Sequence, residues 1–409
     1  MTGPETFKGA QVILSDRNDI LTRGVSEIIV KNEFVERLDS GIPLRLKMGF
    51  DPSAPDIHLG HAVGLRKLRQ LQHHGHKVIL IVGDWTAQIG DPSGRSQTRQ
   101  MLAADEVQRN AETYLSQFFK IVDKDQTEIR WQSEWFGAFT IANVIELTSK
   151  FTVAQILARE DFSKRFAENH PIAITELLYP LLQAFDSVAI EADVEFGGLD
   201  QKFNLLVGRE LQEAHNMPPQ QCFLMPLLPG TDGKKKMSKS LGNYIGIAEP
   251  TEEIYGKVMS IPDTLIMSYY EWLTNIATPD LDSIRRELDR ANHNMGLKKE
   301  LAHTIISELF DKPSADLAQD FFEQTVQNRL VPDNIPEYRL PSDNSKSDAR
   351  LTHILVKTGL TSSAGNARRL INQGAVYIDN TPLTENLPVS DLSPGILRAG
   401  RRKYLRLIR

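Results

Sequence analysis

The run Lys77-Val78-Ile79-Leu80-Ile81-Val82 constrains the fold more than any other feature of this chain. It is apolar and rich in β-branched residues, with no polar alternation. That pattern marks a strand covered on both faces, as strands are in parallel sheets flanked by helices. What precedes it completes a strand–helix–strand unit. Residues 44–50 read as a strand that stops at Asp51-Pro52. From about residue 59 to 74, Leu65, Leu68 and Leu71 share one helical face, with Arg66, Lys67 and Arg69 opposite, and Gly75 is placed to end the helix. Residues 188–196 are another strand candidate, ending in Gly197-Gly198 before a helix near Asp200, and 222–228 a further one. This alternation predicts a doubly wound α/β domain with a parallel sheet, whose ligands sit at the carboxyl ends of the strands.

Beyond residue 249 the pattern turns helical to about 327, and 332–346 is rich in Pro, Asp and Ser, as a linker should be. At 409 residues the chain has room for two or three domains. Its net charge of −6 is unevenly spread. Residues 345–409 hold 11 Lys+Arg against 4 Asp+Glu, which leaves 36 against 49 in the rest. An acidic body with a basic end suggests a polyanion docked at that end. The single cysteine, Cys222, excludes an intramolecular disulfide and a cysteine-built zinc cage and suits a reducing compartment. No apolar run reaches the length of a membrane span and no secretory signal is evident, so a cytoplasmic location is expected.

Two segments carry chemistry. Asp51-Pro52-Ser53-Ala54-Pro55-Asp56-Ile57-His58-Leu59-Gly60-His61 lies where a strand ends and a helix begins. Free N–H groups and the positive end of the helix dipole make that junction an anion site. Two imidazoles three residues apart can both face a nucleotide's phosphates there, and Gly60 lets a flat base approach the backbone. Gly233-Lys234-Lys235-Lys236-Met237-Ser238-Lys239-Ser240 reads as a loop whose lysines neutralise charge developing on a leaving pyrophosphate. A lysine-rich loop is commonly just a solvated surface. Its pairing with the upstream His-x-Gly-His is the rarer event.

In this pair, HLGH followed by KMSKS, the chain resembles the class I aminoacyl-tRNA synthetases. A third segment is similar to the specificity helix of the tyrosyl-tRNA synthetase family: Glu176-Leu177-Leu178-Tyr179-Pro180-Leu181-Leu182-Gln183-Ala184-Phe185-Asp186. Positions 179, 183 and 186 fall on one helical face. The resemblance implies that Tyr179, Gln183 and Asp91 bind the tyrosine ammonium and that Asp186 accepts a hydrogen bond from the phenol. It implies catalytic roles for Ser53, His58, His61, Lys236 and Lys239. Asp51, Gly60, Gly198, Asp200, Gln201, Met237, Ser238, Arg95 and Arg99 would contact ATP. One position departs from the pattern: where many members of the family carry a tyrosine that also touches the phenol, this chain has Lys47.

Around Arg368-Arg369 the chain resembles the small RNA-binding domain that these synthetases share with a ribosomal protein, so Arg368, Arg369, Arg401, Arg402 and Lys403 are expected on tRNA. The implied organisation is a Rossmann-like catalytic domain at 1–240, with a homodimer interface near 114–166. An α-helical anticodon-arm domain at 241–335, a linker at 336–349 and a small α+β RNA-binding domain at 350–409 follow. Tyrosine, ATP with Mg2+, and tRNA(Tyr) are the implied partners, with no dedicated metal site, no membrane and no separate editing domain. The alternatives are a tryptophan–tRNA ligase, or a synthetase-like RNA-binding protein without catalysis.

Overall fold

A computed structural model describes residues 17–52, 56–93, 102–290, 294–327, 335–340, 349–379, 381–400 and 403–409. The chain forms two compact units, Met1–Lys312 and Pro313–Arg409. Ser53, Arg95, Arg99, Arg401 and Arg402 lie outside the described residues.

The first unit is built on a six-stranded sheet: β1 (Glu27–Ile29), β2 (Arg45–Phe50), β3 (Lys77–Val82), β4 (Thr127–Trp131), β5 (Val194–Gly198) and β6 (Gln221–Met225). The spatial order is β1-β6-β5-β2-β3-β4, with β2 to β6 parallel and β1 antiparallel to β6. The chain runs outward from β2 through β3 to β4, then returns beside β2 as β5 and continues to β6. The winding direction therefore reverses between β2 and β5, the place where doubly wound sheets hold their ligands. β3 is the strand expected from the apolar run, and Val78 to Val82 are all buried.

Two elements differ from the sequence reading. The strand expected over 188–196 starts later, because helix α3 (Ile174–Ala189) takes its first residues. Ile190 and Ala192 in the intervening turn are buried against Ile79 and Ile81 on either side of the exposed Glu191, so apolar positions continue from the helix toward the strand. Lys67 was expected on the solvent face of helix α1 (Leu59–His73). It is buried instead, its Nζ donating to the Asp19 carbonyl at 3.1 Å, and burial pulls its pKa down to about 7. Gly75 does end α1, at φ +86°.

Helices α2 (Ala104–Phe118) and α4 (Lys202–Ala214) flank the sheet region with α1 and α3. After β6 come the KMSKS loop and four helices, Thr251–Met259, Ile266–Leu273, Thr278–Arg290 and Met295–Leu309, as the periodicity implied.

The second unit carries a five-stranded sheet: β7 (Glu337–Arg339), β8 (Val376–Ile378), β9 (Thr381–Pro382), β10 (Gly395–Ala399) and β11 (Lys403–Ile408), in the order β7-β11-β10-β8-β9. Its core joins Leu351, Ile354 and Leu355 of one helix and Ala367 and Ile371 of another to Val376, Leu397 and Leu405 of the sheet. Within the stretch expected as linker, residues 337–339 form β7, paired in parallel with β11.

Candidate active site

Residues from β2, β5, α1, α3 and the KMSKS loop meet at the switch point. His58 caps α1 with extended backbone geometry, φ −124° and ψ 168°. The segment entering α1 pairs with the chain beyond the KMSKS loop: Leu59 N donates to Ile245 O at 2.9 Å, and Ile247 N to Ile57 O at 2.9 Å. Gly60 is needed because a Cβ there would stand 2.9 Å from His58 Nδ1, with Met237 Cβ at 3.6 Å. The two motifs, 177 residues apart between Gly60 and Met237, thus lie so close that a side chain at Gly60 would touch Met237.

The His58 and His61 rings lie 3.9 Å apart between centroids. His61 Nδ1 accepts from the His58 backbone N–H at 3.3 Å, which places the ring proton on Nε2. Burial, reinforced by the Lys239 charge, lowers the His61 pKa to about 3. Burial, His61 and the two loop lysines lower that of His58 as well. Both imidazoles are therefore neutral donors near pH 7 rather than cations. Lys239 Nζ donates to Tyr114 Oη at 3.0 Å, and burial brings its pKa down to about 8. Lys236 pairs with Asp200 at 2.6 Å.

The loop's shape comes from Asn243, a residue the sequence reading did not assign. Its Oδ1 accepts from Ser238 N at 2.8 Å, and its Nδ2 donates to Lys236 O at 3.2 Å and Asp232 Oδ2 at 3.0 Å. Asp232 Oδ1 accepts from the N–H groups of Lys234 and Lys235, each at 3.1 Å. A Cβ at Gly230 would collide with the Asn243 side chain.

The expected face of α3 points inward, but each of its three polar residues already has partners. Tyr179 Oη donates to Asp51 Oδ2 at 2.8 Å; burial and the Asp51 charge hold its pKa well above the usual phenol value. Gln183 Nε2 donates to Glu195 Oε1 at 3.0 Å, and its Oε1 accepts from Asn204 Nδ2 at 3.0 Å. Asp186, 2% exposed, accepts from Gln132 Nε2 at 2.8 Å and Trp135 Nε1 at 3.1 Å. Burial raises its pKa to about 7, against the opposing pull of Lys47.

Asp91 accepts from Ser93 N at 2.8 Å and from Gln201 Nε2 at 3.4 Å, while Gln201 Oε1 accepts from Gly198 N at 3.1 Å. Thr86 Oγ1 lies 2.7 Å from Asp51 Oδ1 and 3.0 Å from Gln132 Oε1, closing a network from Asp51 to Asp186. Thr86, Gln132, Trp135, Asn204 and Glu195 carry no motif in the sequence. Only their distance-spanning contacts reveal them.

The structure thus brings together Asp51, His58, Gly60, His61, Asp91, Tyr179, Gln183, Asp186, Gly198, Asp200, Gln201, Lys236, Met237, Ser238 and Lys239 within the first unit. Arg368 and Arg369 are exposed on the helix Ala364–Asn372 of the second unit, where Lys403 Nζ donates to the Gly359 carbonyl at 3.1 Å. Among the described residues no group of three or more His, Cys, Asp or Glu is placed to hold a metal ion. Nor is any helix there long and apolar enough to cross a membrane.

Residues 40–327 match the family described as class I tRNA synthetases (W and Y), and the chain belongs to that family. Among curated relatives, the tyrosine–tRNA ligase of Dehalococcoides mccartyi (strain CBDB1) is 55% identical over 96% of this chain and 98% of its own. That of Thermotoga maritima is 47% identical over 95% of this chain and 96% of its own. The fold is shared with the tyrosyl-tRNA synthetase of Archaeoglobus fulgidus crystallised with L-tyrosine, at a TM-score of 0.60 and 22% identity, covering 73% of this chain and 98% of that one. A truncated mitochondrial tyrosyl-tRNA synthetase of Aspergillus nidulans shares it too, at a TM-score of 0.63 and 20% identity, covering 76% and 92%.

Proposed function

We propose that this chain is a tyrosine–tRNA ligase, an ATP-dependent enzyme that activates tyrosine and esterifies it to the terminal ribose of tRNA(Tyr). The observation that carries the reading is the junction of the HLGH helix start with the KMSKS loop beside the Tyr179/Gln183/Asp186 face. The full-length similarity to tyrosine–tRNA ligases supports the choice of amino acid.

In the first step the tyrosine carboxylate attacks the α-phosphorus of ATP and pyrophosphate leaves. The reaction needs alignment and charge stabilisation rather than proton shuttling. His61, with its proton on Nε2, and His58 donate hydrogen bonds to phosphate oxygens, Gly60 lines the same end, and Ser53 takes the phosphate-binding role that the family resemblance implies. Lys236 and Lys239 neutralise the departing pyrophosphate, with Arg95 and Arg99 assisting. Lys236 must leave Asp200 to do so, which frees that carboxylate for the ribose beside Gly198 and Gln201. Magnesium would arrive on the nucleotide's phosphates, whose oxygens and water suit that hard cation.

Tyrosine is read at both ends. The lone pairs of Asp91, Tyr179 Oη and Gln183 Oε1 not used inside the protein accept from the ammonium. Asp186 keeps acceptor capacity beyond Gln132 and Trp135, and accepts a hydrogen bond from the phenol hydroxyl. An indole would offer its ring N–H rather than a para hydroxyl, so the choice of tyrosine over tryptophan rests on the full-length similarity to tyrosine–tRNA ligases.

The basic second unit would hold tRNA through Arg368, Arg369, Arg401, Arg402 and Lys403. Ile141, Ile145, Val153, Phe166 and Ile174, each more than 60% exposed, offer an apolar surface for a homodimer. A cytoplasmic location suits these substrates and the bacterial relatives. Charging of tRNA(Tyr) with labelled tyrosine tests the reading, and absence of tyrosyl-tRNA with folded protein would refute it.

A further inference from the structure

We propose that Lys47 and Glu195 are positioning residues for amino-acid selection. They form one buried ion pair that anchors both the Gln183 amide and the α3 turn bearing Asp186. The inference rests on the assignment of Gln183 and Asp186 to tyrosine binding. Lys47 on β2 and Glu195 on β5 are direct register partners across the switch point, 0% and 1% exposed in their side chains, with Nζ 2.9 Å from Oε1.

The ammonium of Lys47 has three donors and three partners. Besides Glu195, it donates to the Gln183 carbonyl at 2.7 Å and to Ser187 Oγ at 2.7 Å. Gln183 and Ser187 bracket Asp186, so the lysine grips the turn on both sides of the carboxylate. Glu195 completes the frame from the other side, accepting from Gln183 Nε2 at 3.0 Å and from Ser187 Oγ at 3.3 Å. With Asn204 Nδ2 on its Oε1, the Gln183 amide cannot flip without losing both bonds. One oxygen lone pair is left for a substrate ammonium.

Charge adds to geometry. Asp186 is faced by Lys47 on β2, Glu195 on β5, Gln132 and Trp135 beyond β4, and Tyr179 on its own helix. Lys47 favours the carboxylate and Glu195 opposes it. A carboxylate accepts from the tyrosine phenol, whereas a carboxylic acid has lost one acceptor and the charge that strengthens the bond. Burying a lysine and a glutamate is costly, and packing alone would be served as well by apolar residues. Two buried charges directly beneath the amino-acid site therefore have a functional reason to be there.

The test uses full-length protein: wild type, Lys47→Met, and the double variant Lys47→Met/Glu195→Gln. Pyrophosphate exchange is titrated separately with tyrosine and with ATP from about pH 6 to about pH 9. Lys47→Met is expected to raise KM for tyrosine about tenfold or more while KM for ATP stays within about twofold. The acid limb of kcat/KM for tyrosine should move up by about one pH unit, as expected when the Lys47 charge that favours the Asp186 carboxylate is removed. Should the single variant fold poorly with Glu195 left unpaired, the double variant decides, because it removes both buried charges.

A folded double variant that still binds tyrosine weakly upholds the proposal. One that recovers the wild-type KM for tyrosine shows the pair to be structural only and overturns it, as does an equal loss for tyrosine and ATP. Failure of the parent reading looks different, since wild-type protein would then show no tyrosine-dependent exchange.

Discussion

Replacing Asp186 with asparagine keeps the size of the side chain and changes only its charge and hydrogen-bonding. Both carboxylate oxygens are engaged by donors, Gln132 Nε2 at 2.8 Å and Trp135 Nε1 at 3.1 Å. An asparagine amide has to point its own donor at one of them. Gln132 cannot turn its amide to compensate, because its Oε1 already accepts from Thr86 N at 2.9 Å. One buried donor is thus left without a partner, at a cost of about 1–3 kcal/mol in stability.

The phenol of tyrosine loses a charged acceptor, worth about 1.5–3 kcal/mol. At about 1.4 kcal/mol per tenfold, kcat/KM for tyrosine should fall by about 10- to 150-fold, with KM for ATP nearly unchanged. The assay is tyrosine-dependent pyrophosphate exchange, run alongside a thermal melt that reports the stability loss separately. The effect should be largest above pH 7, since Asp186 titrates at about 7 and the wild type itself loses the carboxylate below it. Because the folded-state pKa is raised, this group's contribution to stability falls as pH rises from the ordinary carboxylate range through about 7. A KM for tyrosine within about twofold of wild type at pH 8 would refute the reasoning.

Other outcomes follow from the same geometry. Because burial lowers the Lys239 pKa to about 8, kcat/KM for ATP should decline as pH rises through about 8, while kcat/KM for tyrosine rises through about 7; a further acid limb in kcat/KM for ATP near the usual histidine value would contradict the neutral state assigned to His61. Substituting Lys236 and Lys239 together should slow adenylate formation by at least about 100-fold with tyrosine affinity intact, as single-turnover measurements would show. Asn243→Ala should also lower the rate of adenylate formation, by about tenfold, because it unties the loop that carries both lysines; equal rates in a stopped-flow assay would leave Asn243 a bystander. Removing the basic second unit by a cut between Lys312 and Pro313 should spare adenylate formation and sharply reduce charging of tRNA, and full-length tRNA binding should weaken steeply with added salt.

Much of the frame was legible because it rests on local pattern. The Lys77–Val82 run announced a fully buried parallel strand, and Gly75 announced the end of α1. Tyr179, Gln183 and Asp186 fell on one face because helical spacing dictates it. What stayed hidden was the other half of each contact. Gln132 and Trp135 follow an edge strand, β4, whose residues are all half-buried and so show no clean alternation. Glu195 reads as one charge in a short strand until the register places it opposite Lys47. β7 lies in a polar stretch and is defined only by pairing with β11, more than sixty residues on. Lys67 looked solvent-facing because a long side chain can bury its stem and still reach a carbonyl.

Pyrophosphate exchange measured with each of the twenty amino acids tests the central reading most directly. It isolates the activation step from tRNA binding and requires the HLGH start, the KMSKS loop and the α3 face to act together. Exchange driven by tyrosine, with phenylalanine and tryptophan at background, is the expected result. Exchange driven by tryptophan would contradict the role of Asp186, and no exchange with any amino acid in folded protein would contradict catalysis itself.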